Sequence, residues 1–201
     1  MNISKTNSKL GVIPSINLPP IVTCRENCPC AKDCYARKGN FRFANVQKSL
    51  IDNLSAYQNN PLDYFNTIKN EIDNGIILHK YFRWHAAGDI VDEAYFENMV
   101  ELAKQLPETK FLAFTKKYEL VNAYIERGQG LPSNLNIVFS AWGKLLPLEN
   151  PHGLPVAYIR FNKSELNGMI PDDAEECAGD CTSCLKCWNV KFGQSVVFNK
   201  H

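Results

Sequence analysis

The sequence predicts an α/β fold, because β-branched and apolar runs alternate with amphipathic helical patterns. Crossover-length helices separate successive strands, which favours parallel pairing. At 201 residues the chain is shorter than the roughly 250 of a full eight-fold barrel. The expectation is therefore a shortened or partial (β/α) barrel of about six mainly parallel strands, with an open doubly wound sheet as the alternative.

The elements follow in order. Ile21-Val22 reads as the end of a first strand, followed by a cysteine loop over 20–40. Helices are expected over Phe43 to Tyr57 and over Pro61 to Asn74, where Pro61 suits a first turn and Asn74-Gly75 a stop. Ile76 to His85 reads as a strand running into Ala86-Ala87-Gly88-Asp89. Val91 to Gln105 is a helix whose apolar face is Tyr95, Phe96, Met99, Val100 and Leu102. Lys110 to Thr115 is a strand, Tyr118 to Arg127 a helix, and Asn136 to Trp142, Leu154 to Phe161 and Ser195 to Asn199 are strands. These pieces describe a single domain over 1–201, with a β/α core at 41–161, an irregular cysteine-rich cap at 162–192 and a last strand at 193–201. The last strand is expected beside the first, carrying Cys187 towards Cys24.

Composition narrows the function classes. A 45% hydrophobic content suits a globular core, and a formal net charge of +1 offers no bulk attraction to nucleic acid or anionic lipid. No apolar run is long enough to span a bilayer. The polar opening from Met1 to Lys9 lacks an apolar signal region, so the expected location is cytoplasmic, with reduced thiols.

The eight cysteines form two tight groups: Cys24, Cys28, Cys30 and Cys34, then Cys177, Cys181, Cys184 and Cys187. Thiols so closely spaced can converge on one point within each group, as a metal ion or an iron-sulfur cluster requires. The second run has gaps of three, two and two residues, a compact pattern that surrounds a [4Fe-4S] cluster readily. Zinc, which more often pairs two knuckles across a longer gap, is the alternative, followed by redox thiols without metal. Around the first group, Arg25, Lys32, Arg37 and Lys38 favour thiolates and offset cluster charge. The competing reading there is four reduced surface thiols.

Cys30-x3-Cys34-Tyr35-Ala36-Arg37-Lys38-Gly39, Arg83-Trp84-His85-Ala86-Ala87-Gly88-Asp89, Phe114-Thr115-Lys116-Lys117 and the cysteine run before Trp188 together resemble the phage gene-product-88 family. That resemblance implies a viral or prophage origin, hence host cytoplasm, and little chemistry. More distantly, the layout resembles radical S-adenosylmethionine enzymes of the spore photoproduct lyase kind. These carry a three-cysteine cluster loop after the first barrel strand and an acid after the second that holds the methionine amino group. The resemblance implies cofactor contacts at Gly88, Asp89 and Ser140. This chain departs from the pattern, since Cys24-x3-Cys28 is followed by Cys30, leaving four thiols where open-site chemistry needs three.

Among other polar residues, His85 at a strand end is a candidate acid, base or ligand, or else a packed structural histidine. Asp89 is a candidate catalytic residue or a cap for the helix near Val91. Lys116 and Lys117 either meet an anionic substrate or form a solvated turn. His79, His152 and His201 carry no motif. Two functions follow: an iron-sulfur enzyme of radical S-adenosylmethionine type, using His85, Asp89 and Lys116, or a non-catalytic redox or structural iron-sulfur or zinc module that binds a host or viral partner.

Overall fold

In the computed structural model, the described residues are 1–75, 77, 80–147, 149–162 and 165–200. Eight strands form one sheet: β1 (Ile3–Ser4), β2 (Ser15–Ile16), β3 (Tyr81–Trp84), β4 (Lys110–Thr115), β5 (Leu135–Ser140), β6 (Val156–Arg160), β7 (Glu175–Glu176) and β8 (Ser195–Asn199). Their order is β1-β2-β3-β4-β5-β6-β8-β7, and only the β1/β2 pair is antiparallel. From β2 to β6 the order follows the sequence, without the reversal at which a doubly wound sheet is defined.

The helices are α1 (Ala44–Asn59), α2 (Pro61–Asp73), α3 (Glu93–Gln105), α4 (Tyr118–Glu126) and the single turn α5 (Cys181–Cys184). Asn60 caps α2 by accepting from the Asp63 amide, Pro61 opens it, and Gly75 follows it at φ +68°. At α3 the cap is Asp92, which accepts from the Tyr95 amide. Asp89 therefore does not cap this helix; it lies too early in the chain and is occupied elsewhere.

The period of two along each strand divides the sheet's residues between two faces. Phe82, Trp84, Phe111, Ala113, Ile137 and Phe139 pack with residues of α1 to α4 in the main core. Leu112, Val138, Ala157 and Val196 face the other way, against Leu10, Ile13, Trp188 and Val190. So four helices cover one face, while the N-terminal loop and the cysteine-rich segment cover the other. That segment is mostly irregular, as expected, with β7, α5 and two 3-10 turns inside it.

Three expectations are corrected. Ile21 and Val22 are not strand residues: they sit in an exposed turn, Ile21 at φ +73°, and the first parallel strand is β2. The two prolines at 19 and 20 end that strand early, since proline cannot extend a ladder. The last strand pairs with β6 and β7 rather than beside the first. The strand expected over Ile76 to His85 is observed as Tyr81–Trp84; residues 76, 78 and 79 lie outside the described residues, as do 163 and 164 of the expected cap and residue 201 of the last segment.

Specific hydrogen bonds dock the cap. Trp188 donates its indole N–H to the Phe82 carbonyl (3.1 Å), and Asn136 on β5 donates to the Cys187 and Val190 carbonyls (2.8 and 3.0 Å). The Cys177 amide donates to Val197 and the Cys181 amide to Lys9 (2.9 and 3.0 Å). Trp188→Ala is expected to cost about 3–5 kcal/mol, the usual range for deleting a buried large aromatic. Hydrogen exchange should then accelerate in 171–190 while α1 to α4 remain protected.

Candidate functional site

The loop after β2 is tied to the C-terminal ends of its neighbours. The Leu18 amide donates to the Ala87 carbonyl, and Asn17 Oδ1 accepts from the Ala86 and Ala87 amides (2.7 and 3.1 Å). Thr23 Oγ1 accepts from the Asp89 amide (3.1 Å). Gly88, at φ +85°, sits where any Cβ would come within 2.8 Å of the Leu18 Cβ and carbonyl oxygen and the Thr23 hydroxyl. The close approach that glycine permits here is made by the protein's own loop.

Two 3-10 turns shape the first cysteine group: Cys28 precedes Pro29–Lys32 and Cys34 precedes Tyr35–Arg37. The Cys28 and Cys30 sulfurs are 3.0 Å apart, and Cys24 Sγ accepts from the Ile21 amide (3.4 Å). Outer contacts hold the loop in place. Tyr35 donates its hydroxyl to the Ala86 carbonyl, Arg25 pairs with Glu119 and donates to the Lys116 carbonyl, and Lys200 on the chain beyond β8 pairs with Asp33.

All eight cysteines are free of disulfides and border one cavity of about 590 Å3 on the non-helical face. His85, Gly88, Asp89, Lys116 and Ser140, the other residues singled out from sequence, border the same cavity. The two cysteine groups meet because the cap folds across the sheet, not because the first and last strands pair. Among the described residues, no three His, Cys, Asp or Glu side chains are gathered as a single metal ion requires.

The surroundings set each group's charge. Burial pushes the Cys24 thiol up to about 11 and the Cys187 thiol up to about 12, and it raises Cys181 as well. Cys28 is pulled down to about 6 by the hydrogen bond from Cys30, with help from the Lys116 charge; Cys30 moves up in return. Asp89 is raised by burial against the pull of its donors. Those donors include the Lys116 amide on Oδ2 (3.0 Å), the Thr115 hydroxyl and the Ile90 amide on Oδ1 (2.8 Å), so the carboxylate ties the loop after β3 to the end of β4.

Lys116 and Lys117 do not form a solvated turn. Lys116 Nζ donates to Ser140 Oγ (2.8 Å) and Lys117 Nζ to the Val91 carbonyl (2.7 Å). His85 is buried, with its ring beside Trp84 and Tyr95 and its Nε2 2.9 Å from the Tyr95 hydroxyl; Nδ1 has no partner among the described residues. Burial, then the Arg83 and Lys117 charges, lowers its pKa to about 3. The imidazole is thus neutral at physiological pH, a state that disfavours proton donation.

Arg83 is the residue the sequence reading passed over, although it lies inside a quoted motif. Its alternation with the buried Phe82 and Trp84 was the available signal. The guanidinium lies 4.1 Å from the Phe114 ring centroid and donates to the Trp84 and His85 carbonyls.

A family model described as Gene product 88 matches residues 1–190, and the chain belongs to that family. No curated protein and no solved structure matches the chain.

Gly88→Ala is expected to destabilise the fold by about 1–3 kcal/mol through strain at positive φ plus the clash with Leu18 and Thr23, measured by denaturant unfolding. His85 should stay neutral in an NMR titration until far below its ordinary value. Its folded pKa of about 3 lies under the usual 6.5, so its contribution to stability is complete above 6.5 and is lost as pH falls towards 3. In His85→Asn, whose asparagine tolerates the φ of +43°, stability should fall less steeply across that window.

Proposed function

We propose that this member of the gene product 88 family is an iron-sulfur protein holding two [4Fe-4S] clusters, one on Cys24, Cys28, Cys30 and Cys34 and one on Cys177, Cys181, Cys184 and Cys187. The observation that carries this reading is the opening of all eight unpaired thiols onto one cavity, within the usual size range of ligand pockets. Two groups of four soft donors fit clusters of this type, and zinc is the alternative for the same donors. When bound, such clusters supply one-electron chemistry.

The chain's own residues prepare the site. Turns start after Cys28 and Cys34, which border the cavity, and Tyr35, Arg25 and Lys200 fix the loop over the sheet's end. The sequential strand order, with helices on one face and metal-ligand segments on the other, supports a partial (β/α) barrel whose interior is the cavity. Family membership supports a phage origin and action in host cytoplasm, and among the described residues no helix is long and apolar enough to cross a membrane.

A second reading is favoured by one arrangement: Gly88-Asp89, in the loop after β3, is tied to Thr23 beside the cysteine loop and borders the same cavity. In that reading the first cluster keeps one iron open to S-adenosylmethionine, with Asp89 holding the amino group and Ser140 near the ribose. Closed clusters instead make the protein an electron-transfer or structural module for a host or viral partner.

Metal analysis of the anaerobically purified protein tests the main reading. About eight iron and eight sulfide per chain are expected from two four-iron clusters; two zinc without sulfide would overturn it. Adding S-adenosylmethionine to the reduced protein should alter its electron paramagnetic resonance spectrum only if an iron is open. Chelation of the bound metal should unfold 162–192 before α1 to α4, seen by hydrogen exchange.

A further inference from the structure

Four acidic side chains border the cavity, and each is engaged by the protein itself. Asp33 pairs with Lys200 and Glu176 with Arg160, Asp180 accepts from Thr182 and Ser183, and Asp89 accepts from two backbone amides. Of the cations at the cavity, Lys200 and Lys186 pair with Asp33 and Glu175. Among the described residues, neither Arg83 nor Lys116 has a carboxylate partner: Arg83 rests on a ring and two carbonyls, and Lys116 on a neutral hydroxyl.

A partly buried cation held by neutral groups is costly unless an anion faces it. The two cations face different cysteines. Arg83 lies over the Phe114 ring, which packs against the same apolar cluster as Cys181 and Cys187, while the Lys116 carbonyl accepts from Arg25, next to Cys24 in the N-terminal cysteine loop. The sheet explains the division. Phe114 is on β4 and Lys116 directly follows its last residue, Thr115, while Arg83 from β3 reaches over Phe114. The C-terminal group therefore meets the cation nearer the sheet's middle, and the N-terminal group the cation at its C-terminal end.

We infer that Arg83 and Lys116 are dedicated counter-charges, Arg83 for the metal-thiolate centre of the C-terminal group and Lys116 for that of the N-terminal group. This inference rests on the iron-sulfur reading above. Both are positioning residues that act through the field they place on a cluster, whose thiolates carry net negative charge. A further cation, Lys9, lies over the Phe198 ring from the N-terminal loop, and its carbonyl accepts from the Cys181 amide.

The test is a redox titration of the reconstituted full chain followed by electron paramagnetic resonance, with Cys187→Ser identifying the C-terminal signal. Arg83→Met should lower the midpoint potential of the C-terminal cluster and leave the other unchanged, because loss of a positive charge disfavours the more negative reduced state. Arg83→Lys should restore most of the shift, and Lys9→Met should shift it less than Arg83→Met. Lys116→Met should lower only the N-terminal potential, and it keeps the test decisive should Arg83→Met not fold. Potentials that do not move, or that move together, in a wild type showing two cluster signals would overturn this assignment while leaving the iron-sulfur reading intact. Absence of iron from the wild type would instead overturn both.

Discussion

A parallel sheet is stable only when both of its faces are covered, and this sheet has helices for one face alone. Aromatic residues of β3, β4 and β5 meet α1 to α4 in a dense core centred on Trp84, Phe82, Phe111, Tyr64 and Tyr95. The opposite face receives the N-terminal loop and a segment with little regular structure, anchored through Trp188 and Asn136. That cover is thin in apolar side chains. The space it leaves is the cavity, and what the covering chain brings to it is chiefly thiols.

This arrangement links stability to chemistry. A segment short of hydrophobic contacts gains order from ligands bound between its side chains, so the proposed clusters, held by sulfur donors in the cover, would tie its folding to metal binding. The same logic explains the charge distribution. Acids at the cavity are held by cations or by amide and hydroxyl donors, while the Arg83 and Lys116 side chains border it with no carboxylate partner among the described residues. His85 belongs to the opposite side of this division: its ring joins the aromatic core through Tyr95 and stays neutral there.

Much of the helical half was legible in the sequence. Pro61 and Asn74-Gly75 bracketed α2 because capping chemistry is local, and the five apolar residues assigned to α3 are all buried. β4 and β8 matched residue for residue. The first parallel strand was misplaced because Ile21-Val22 is more apolar than Ser15-Ile16, and burial of a serine in a sheet depends on neighbours that a local pattern does not contain. Short strands such as β1 and β7, two residues each, exist only through their partners.

The candidate site shows the same divide. Cysteine spacing marked both groups, yet their meeting in one cavity depends on how the cap crosses the sheet. Arg83 carried only the faint signal of alternation. The most direct test of the central claim, two clusters in a shared cavity, is the electron paramagnetic resonance spectrum of the fully reduced, iron-reconstituted protein. The account predicts two cluster signals broadened by magnetic coupling to each other, each sharpening when the opposite cysteine group is replaced by serine. Two magnetically isolated centres, or a protein that takes up no iron, would contradict it.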